Sequence, residues 1–351
     1  MATSVGILGM AHGHVERYLE EWHGHPELGI LPLKCWDHNS KRMEEAAARH
    51  HLRTCDSAEE LVAGGEVEAV VIAAETAMHA ELVELAARAG KTIVVQKPLA
   101  LTPEQADRIV RAVKDSGVPF TVAWQMRVDP QNIQMEEMIR NQTFGKVLRV
   151  RRRHALSTHT WNGFENTWHN DPTLNRDIWA DDAAHPIDWI HSLFGTPDSV
   201  TAEIATLFNP RVPNDNGIAI FRYHNGPIVE VSCSFTCVAA ISTTEIICER
   251  GTIIQDYGDA PSCSVPRLGS NLGLKWYSTD TGSWTYSDIP SPQNQAERIR
   301  ALAKPLADFI QGKRNPICTA EEARQSLLIL LATYRASEEG RRIGRDEFAG
   351  E

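Results

Sequence analysis

The sequence lacks the features that secreted and membrane proteins carry. Its 351 residues contain no apolar run long enough to cross a bilayer, and the opening residues Met1–Ser4 hold no basic charge. The seven cysteines are an odd number, and no two of them form the Cys-x-x-Cys pair of redox and zinc motifs. We therefore expect reduced thiols, no signal peptide and no membrane partner, which predicts a cytoplasmic location.

Basic residues are also in deficit. Lysines and arginines number 35 against 46 aspartates and glutamates, which gives a formal net charge of −11. A field of that sign repels nucleic acids and anionic membranes, so neither is an expected partner. A metal site is not predicted either, because the sequence has no His-Glu-x-x-His motif and no clustered thiol ligands.

The order of predicted elements indicates two domains of different architecture. A chain of 351 residues is too long for one ordinary core. Strands and helices alternate at short intervals through residue 123, which predicts a doubly wound parallel sheet. From Val147 onward strands follow one another through short turns, which predicts an open, predominantly antiparallel sheet. The fold class is therefore α/β, and we place the boundary between residues 1–125 and 126–351.

The first predicted strand ends in a glycine turn. Strand Val5–Gly9 is followed by Met10, Ala11 and His12, and a helix pattern begins at Val15. A strand, a tight glycine turn and a helix form the place where a dinucleotide pyrophosphate binds to backbone N–H groups. The pattern departs from Gly-x-Gly-x-x-Gly, since only its first glycine is present, and an ordinary turn is the alternative.

An acidic residue follows the second predicted strand, Leu31–Trp36. A carboxylate at this position bonds the ribose 2′-hydroxyl of NAD and repels the 2′-phosphate of NADP. Asp37 therefore favours NAD over NADP. The alternative is that Asp37 caps the helix predicted at Ser40–His50.

Further candidate residues lie at or just after the ends of the strands predicted at Val67–Ala74 and Thr92–Val95. Ligands in open α/β sheets bind outside the carboxyl ends of the strands, so residues at these ends are candidates for the cofactor site. These are Ala74, Glu75, His79, Gln96 and Lys97. A solvated loop lysine is the alternative for Lys97, which precedes Pro98 and a helix pattern opening at Thr102.

A histidine and an aspartate lie one turn apart in a helical stretch of the second half. Asp181 and His185 share a helix face provided that Pro186 does not break the turn. An imidazole exchanges protons near neutral pH, and a carboxylate one turn away can orient it. A helix surface pair, or Asp181 as an N-cap, is the alternative.

Candidate substrate contacts lie around this stretch. The faces of Trp161 and Trp168 suit sugar rings. Four tryptophans lie near this stretch, and at least half of them are expected to pack in the core: Trp124, Trp161, Trp168 and Trp179. Arg127 and Arg176 can bind a carboxylate of a sugar acid, or they can pair with Asp129 and Asp177.

Several of these motifs together resemble the Gfo/Idh/MocA oxidoreductase family. The resemblance rests on the Gly9 turn, Gln96-Lys97-Pro98, Arg127 with Asp129-Pro130, and Asp181-x-x-x-His185, and it covers nearly the whole chain. The family's usual lysine motif is Glu-Lys-Pro, so Gln96 is a departure. Residues 174–178 also depart, because many relatives carry a glycine-rich run there, and this points to a distinct substrate pocket.

The resemblance implies an NAD(P)-binding Rossmann domain over 1–125 and a substrate-binding and oligomerisation domain over 126–351. The implied reaction is hydride transfer between NAD and a secondary alcohol of a sugar, cyclitol or related polyol. By position, Lys97 matches the lysine that bonds the reacting oxygen, His185 the general acid/base and Asp181 the carboxylate that positions them.

Two other functions stay open from the sequence. One is a glycoside-cleaving enzyme that oxidises its substrate transiently and recycles NAD, and the other is a non-catalytic regulatory protein that senses NAD. We also expect a homo-oligomer, a dimer or a tetramer. The second face of the antiparallel sheet needs cover, and it is expected to carry the apolar side chains of Ile228, Val231, Ile246 and Ile247, so a subunit interface is predicted there.

Overall fold

A computed structural model describes residues 2–239, 241–256 and 273–348, which form two compact units. The first unit comprises Met1–Gln125, Thr173–Asn175 and Ile299–Leu327. Two hydrogen bonds show why the late segment joins it: Trp22 Nε1 donates to Ala303 O at 3.0 Å, and Val122 N donates to Cys318 O at 3.1 Å. Ile299–Leu327 thus belongs to the first unit although it follows most of the second unit in sequence, which a single boundary after residue 125 does not describe.

The first unit is built on a six-stranded sheet in the order β3-β2-β1-β4-β5-β6, with every pairing parallel. Its strands are β1 (Thr3–Leu8), β2 (Ile30–Trp36), β3 (Arg53–Thr54), β4 (Ala69–Ile72), β5 (Thr92–Val95) and β6 (Phe120–Val122). Its helices include α1 (His14–Gly24), α2 (Ser40–His50), α3 (Ala58–Val62), α4 (His79–Arg88) and α5 (Pro103–Ser116). The predicted doubly wound sheet is confirmed, and β4 is buried along its whole length, as an apolar run predicts.

The second unit comprises Met126–Pro172, Arg176–Arg298 and Leu328–Glu351 and is built on nine strands. Its strands are β7 (Val147–Ala155), β8 (Ser199–Ala205), β9 (Asn216–Arg222), β10 (Ile228–Ser234), β11 (Thr243–Cys248), β12 (Gly251–Gln255), β13 (Leu274–Ser278), β14 (Ser283–Tyr286) and β15 (Ile343–Gly344). The sheet order is β14-β13-β12-β11-β7-β10-β9-β8-β15. Among the described strands β7 and β10 pair in parallel and the other neighbours pair antiparallel, which confirms the predicted sheet.

The remaining helices lie in the later part of the chain. They are α6 (Pro130–Arg140), α7 (Ala184–Phe194), α8 (Gln295–Arg300), α9 (Ala303–Ile310) and α10 (Ala320–Glu339). The sequence pattern over Gln295–Gln311 predicts a single helix. This prediction is wrong, because Pro305 has no N–H and its ring would collide with the carbonyl of Ala301 in a continuous helix. The helix restarts so that Pro305 falls in the first turn of α9.

The sequence pattern over Thr243–Ile254 predicts one strand, but this stretch forms a hairpin. The stretch Thr243–Ile254 divides into β11 and β12, which pair antiparallel. The turn between them bonds elsewhere, since Glu249 N donates to Lys146 O and Arg250 N to Phe144 O. Strands β13 to β15 were not predicted.

The sheet of the second unit keeps apolar side chains at its surface. Leu148, Ile218, Ile220 and Ile228 are 47%, 47%, 40% and 44% exposed. Val231 and Ile246 were expected to lie on this exposed face, but both side chains are fully buried. Their opposite environments follow from the two-residue period of a strand.

No helix in the described part of the chain is long and apolar enough to span a membrane. The described cysteines are free thiols, and Cys263 lies outside the described residues.

Candidate active site

The glycine turn after β1 is a backbone cradle. Gly9 has φ +84°, and a Cβ built on it would lie 2.4 Å from the Cα of Ala74. A side chain is therefore excluded at this position. Gly9 N donates to Trp36 O at 2.7 Å and His12 N to Ala73 O at 2.9 Å, so the turn is fixed to the ends of β2 and β4. Helix α1 begins directly afterwards, and no side chain caps its N-terminus.

Asp37 lies at the end of β2 and its carboxylate is fully buried. Oδ2 accepts hydrogen bonds from Met10 N at 2.6 Å and Arg42 Nε at 2.8 Å. Oδ1 accepts from Asn39 N at 2.8 Å and Arg42 Nη2 at 2.7 Å. A carboxylate has about four acceptor positions, and the protein itself fills this number. The N-cap of α2 is Asn39 rather than Asp37, since its side chain accepts from Arg42 N.

Glu75 lies just beyond β4 and approaches the same arginine. Its Oε1 is 2.9 Å from Arg42 Nη1, and its side chain is 4% exposed. Burial opposes the positive charge of Arg42, but the hydrogen bonds to Asp37 and Glu75 outweigh it and raise the pKa of the guanidinium. Oε2 of Glu75 accepts no hydrogen bond from the described residues, and His38 Nδ1 lies 3.7 Å from it.

Lys97 follows β5 and is 3% exposed. The Lys97–Pro98 peptide bond is cis. The fully buried His79 ring holds the loop, because Nδ1 lies 3.0 Å from Pro98 O and 3.2 Å from Leu99 O. Its Nε2 lies 3.2 Å from Ala74 O. Burial lowers the pKa of His79. Because both ring nitrogens lie within 3.2 Å of backbone carbonyl oxygens, His79 positions the loops that carry Ala74 and Lys97.

Gln96, which stands where the family motif has glutamate, is fully buried. Its Nε2 donates to Tyr18 Oη at 3.1 Å, which ties β5 to α1. Its Oε1 is without a hydrogen-bond partner within the described ranges.

These residues fit a dinucleotide. The uncapped start of α1 supplies N–H groups for a pyrophosphate, and the turn at Gly9 places this helix start at the carboxyl edge of the sheet. The buried acceptors on Glu75 and Gln96 supply sites for hydroxyl or amide donors. All of them follow strands of one parallel sheet at its carboxyl edge, where ligands of such sheets bind.

In the second unit, a π-helical turn at Trp179–Ala183 leads into α7. The wider π turn changes the angular offset between neighbouring residues relative to an α-helix. The carboxylate of Asp182 lies beside His185, with Oδ1 3.7 Å from His185 Nε2. Pro186 falls in the first turn of α7, so it does not break the helix.

Asp182 also faces a second imidazole, and this pairing was not predicted from the sequence. His154, near the end of β7, is fully buried and places Nε2 3.5 Å from Asp182 Oδ1. The two imidazole rings are 6.0 Å apart between centroids. Burial lowers the pKa of His154, and Asp182 acts against that shift. The sequence gives little indication of this pairing, because a single histidine in a strand forms no spacing pattern with a distant aspartate.

Asp181 is buried, at 3% exposure, and its N–H donates to Asp177 O. No group of three or more His, Cys, Asp or Glu side chains within the described residues is arranged to hold a metal ion.

The two candidate arginines are engaged with the protein. Arg127 donates Nε and Nη2 to the carboxylate of Asp188 at 2.8 and 2.9 Å, and both side chains are largely buried. This is a different aspartate from the Asp129 considered from the sequence, which instead caps α6. The guanidinium of Arg176 lies over the ring of Tyr334 at 4.9 Å.

The tryptophans divide into core and surface. Trp124 and Trp179 are buried, and Trp179 Nε1 donates to Thr333 Oγ1 at 3.0 Å. Trp161 is 37% exposed, and Trp168 stacks on His169 with ring centroids 4.1 Å apart. Of these four tryptophans, Trp161 and Trp168 have exposed surface for contact with a ligand, and Trp124 and Trp179 do not.

Comparison with known proteins identifies the family. Residues 3–124 match the "Oxidoreductase family, NAD-binding Rossmann fold", and residues 133–254 match the "GFO/IDH/MocA C-terminal domain". The chain belongs to the Gfo/Idh/MocA oxidoreductase family, and its first domain is an NAD-binding Rossmann domain.

Individual relatives are distant. An uncharacterized oxidoreductase of Schizosaccharomyces pombe is 28% identical over 187 residues, covering 51% of this chain and 50% of that protein. The chain thus matches about half the length of this relative. D-apiose dehydrogenase of Paraburkholderia graminis is 26% identical over 343 residues, covering 93% of this chain and 85% of the relative.

A solved structure of levoglucosan dehydrogenase, in complex with NADH and L-sorbose, has a TM-score of 0.82 to this chain at 19% identity. The alignment covers 98% of this chain and 99% of that one. At this identity the likeness establishes the fold.

Proposed function

We propose that this protein is an NAD-dependent dehydrogenase acting on a secondary alcohol of a sugar, cyclitol or related polyol. The observation that carries the proposal is the buried lysine at the carboxyl end of β5, in a domain whose family binds NAD. Most lysines are solvated, and burial at a ligand-binding edge needs a reason. The relative that oxidises D-apiose supports the substrate class.

Oxidation of a carbinol requires removal of the hydroxyl proton and stabilisation of the developing alkoxide. Lys97 stabilises the oxygen through its ammonium group, and His185 accepts the proton on its imidazole. NAD, when bound, accepts the hydride. Asp181 positions the pair, as the family resemblance implies.

Asp182 and His154 extend the proton-handling group of the second unit. A carboxylate beside an imidazole favours the protonated form of that ring. Asp182 lies beside both His185 and His154, so it stabilises a proton on either ring. His185 takes up the substrate proton more readily as a result.

The test is Lys97→Ala, with Lys114→Ala on the exposed side of α5 as the matched control. We expect turnover to fall by about a thousandfold, the upper range for losing one electrostatic stabiliser, while NADH still binds. The assay follows NADH absorbance with NAD across inositols, aldoses, sugar acids and glycosides. Full activity in the Lys97 variant would remove the mechanism, and glycoside cleavage without net NADH would favour the NAD-recycling alternative.

We propose in addition that the exposed apolar face of the second unit's sheet is covered by a second copy of the chain. Three aliphatic side chains at 40–47% exposure, Ile218, Ile220 and Ile228, lie on one face of the neighbouring strands β9 and β10. Light scattering that gives a dimer or tetramer mass, reduced to the monomer by Ile218→Lys, supports this. A monomeric mass for the unaltered protein contradicts it.

A further inference from the structure

The cluster of charged side chains after β2 and β4 bears on how the cofactor is selected. It consists of Asp37, Arg42 and Glu75, and His38 lies at its border. The sequence favoured Asp37 as the ribose ligand. Its carboxylate accepts four hydrogen bonds from Met10, Asn39 and Arg42, so no acceptor position remains for a hydroxyl.

Glu75 has an open acceptor position, whereas Asp37 has none. Its Oε1 pairs with Arg42, but Oε2 accepts no hydrogen bond from the described residues although the residue is only 3% exposed. A buried carboxylate oxygen without a donor is costly, and a ligand hydroxyl would satisfy it.

Arg42 would be the natural partner of a 2′-phosphate, since an arginine near this strand end can accommodate it in NADP-binding proteins. Here two carboxylates hold the guanidinium through Nε, Nη1 and Nη2. Two negative charges around one positive charge leave the cluster with a net charge of −1, which disfavours a phosphate dianion.

We propose that Glu75 is the residue that selects NAD: its free oxygen accepts a hydroxyl of the adenosine ribose, and its other oxygen keeps Arg42 from a 2′-phosphate. Asp37 holds Arg42 and the glycine turn in place and makes no direct bond to the ribose. The inference rests on NAD binding and is independent of the sugar substrate.

The experiment measures binding of NADH and NADPH by calorimetry, without substrate, to the full chain and to Glu75→Gln. Losing one charge-assisted hydrogen bond should weaken NADH binding by about tenfold. Neutralising the cluster and releasing Nη1 of Arg42 should strengthen NADPH binding by about tenfold. Glu84→Gln, which breaks the Glu84–Arg108 pair of the same unit, is the control and should leave both affinities within about twofold.

A second substitution separates the two roles of Glu75. In Glu75→Gln combined with Arg42→Met, the gain for NADPH should disappear, because the gain depends on the arginine. Glu75→Ser should give the same direction as the amide variant and replaces it if the amide variant does not fold. An unchanged ratio of the two affinities in a folded Glu75 variant overturns the inference, whatever Lys97→Ala does to turnover.

Discussion

Two buried aspartates show how differently the two units use the same side chain. Asp37 in the first unit has a fully buried carboxylate with four donors at 2.6–2.8 Å, two of them on a guanidinium. The carboxylate of Asp182 in the second unit is 15% exposed and lies 3.5 and 3.7 Å from two imidazole nitrogens.

The difference lies in what the partners can do. Arginine stays charged at any ordinary pH, so the bonds of Asp37 are fixed and serve geometry. An imidazole can gain or lose a proton, so the partners of Asp182, unlike a guanidinium, can change their charge. The surroundings of Asp37 therefore suit holding the turn at Gly9 in place, and those of Asp182 suit the proton transfer proposed above.

The comparison is tested most strongly by Asp182→Asn. Because the amide cannot stabilise a protonated imidazole, kcat should fall about a hundredfold, or about 2.7 kcal/mol in activation free energy. The acid limb of the activity–pH profile should move to lower pH, since the carboxylate that favours protonated imidazole is gone. The measurement is steady-state kinetics between pH 5 and 9, with the exposed Asp280→Asn as control. An unchanged pH profile would show that Asp182 plays only a structural part.

The opposite pattern is expected for Asp37→Asn. An amide cannot accept all the hydrogen bonds that Met10, Asn39 and Arg42 donate, so the free energy of unfolding should fall by about 2 kcal/mol. Urea denaturation measures it. Asp107→Asn, which breaks an exposed pair with Arg324, should cost less than about 1 kcal/mol. Equal losses in the two variants would mean that burial of the Asp37 network adds nothing.

The smallest effect concerns acid stability. Burial lowers the pKa of His154 and of His79, so below the unfolded value of about 6.5 the unfolded chain binds protons that the fold does not. Stability therefore falls as the pH falls, by at most about 1.4 kcal/mol for each ring at pH 5.5. His154→Gln should reduce the loss of stability between pH 8 and pH 5.5, whereas the exposed His224→Gln should not. Asp182→Asn should enlarge it, because the carboxylate that offsets the burial of His154 is absent.

Local sequence patterns were enough to predict most of the framework. The alternation of apolar strands with capped helices through residue 123 specified a parallel sheet, and the order β3-β2-β1-β4-β5-β6 confirms it. The turn at Gly9 and the lysine after β5 were found because glycine and proline mark chain turns by their own backbone limits.

Contacts between residues far apart in sequence could not be predicted from local sequence patterns. Nothing around Asp37 says that Arg42 and Glu75 converge on each other, because β2 and β4 are brought together only by β1 between them. The pairing of Arg127 with Asp188 and of Asp182 with His154 has the same origin.

The sequence by itself determined the class of fold, the family and the residues that mark the cofactor edge, because short-range periodicity and backbone chemistry are local. Only the tertiary structure decided which acceptors are filled and which are left open. Asp37 and Glu75 are both acidic residues after a strand, and their difference is the number of donors that the fold places around each.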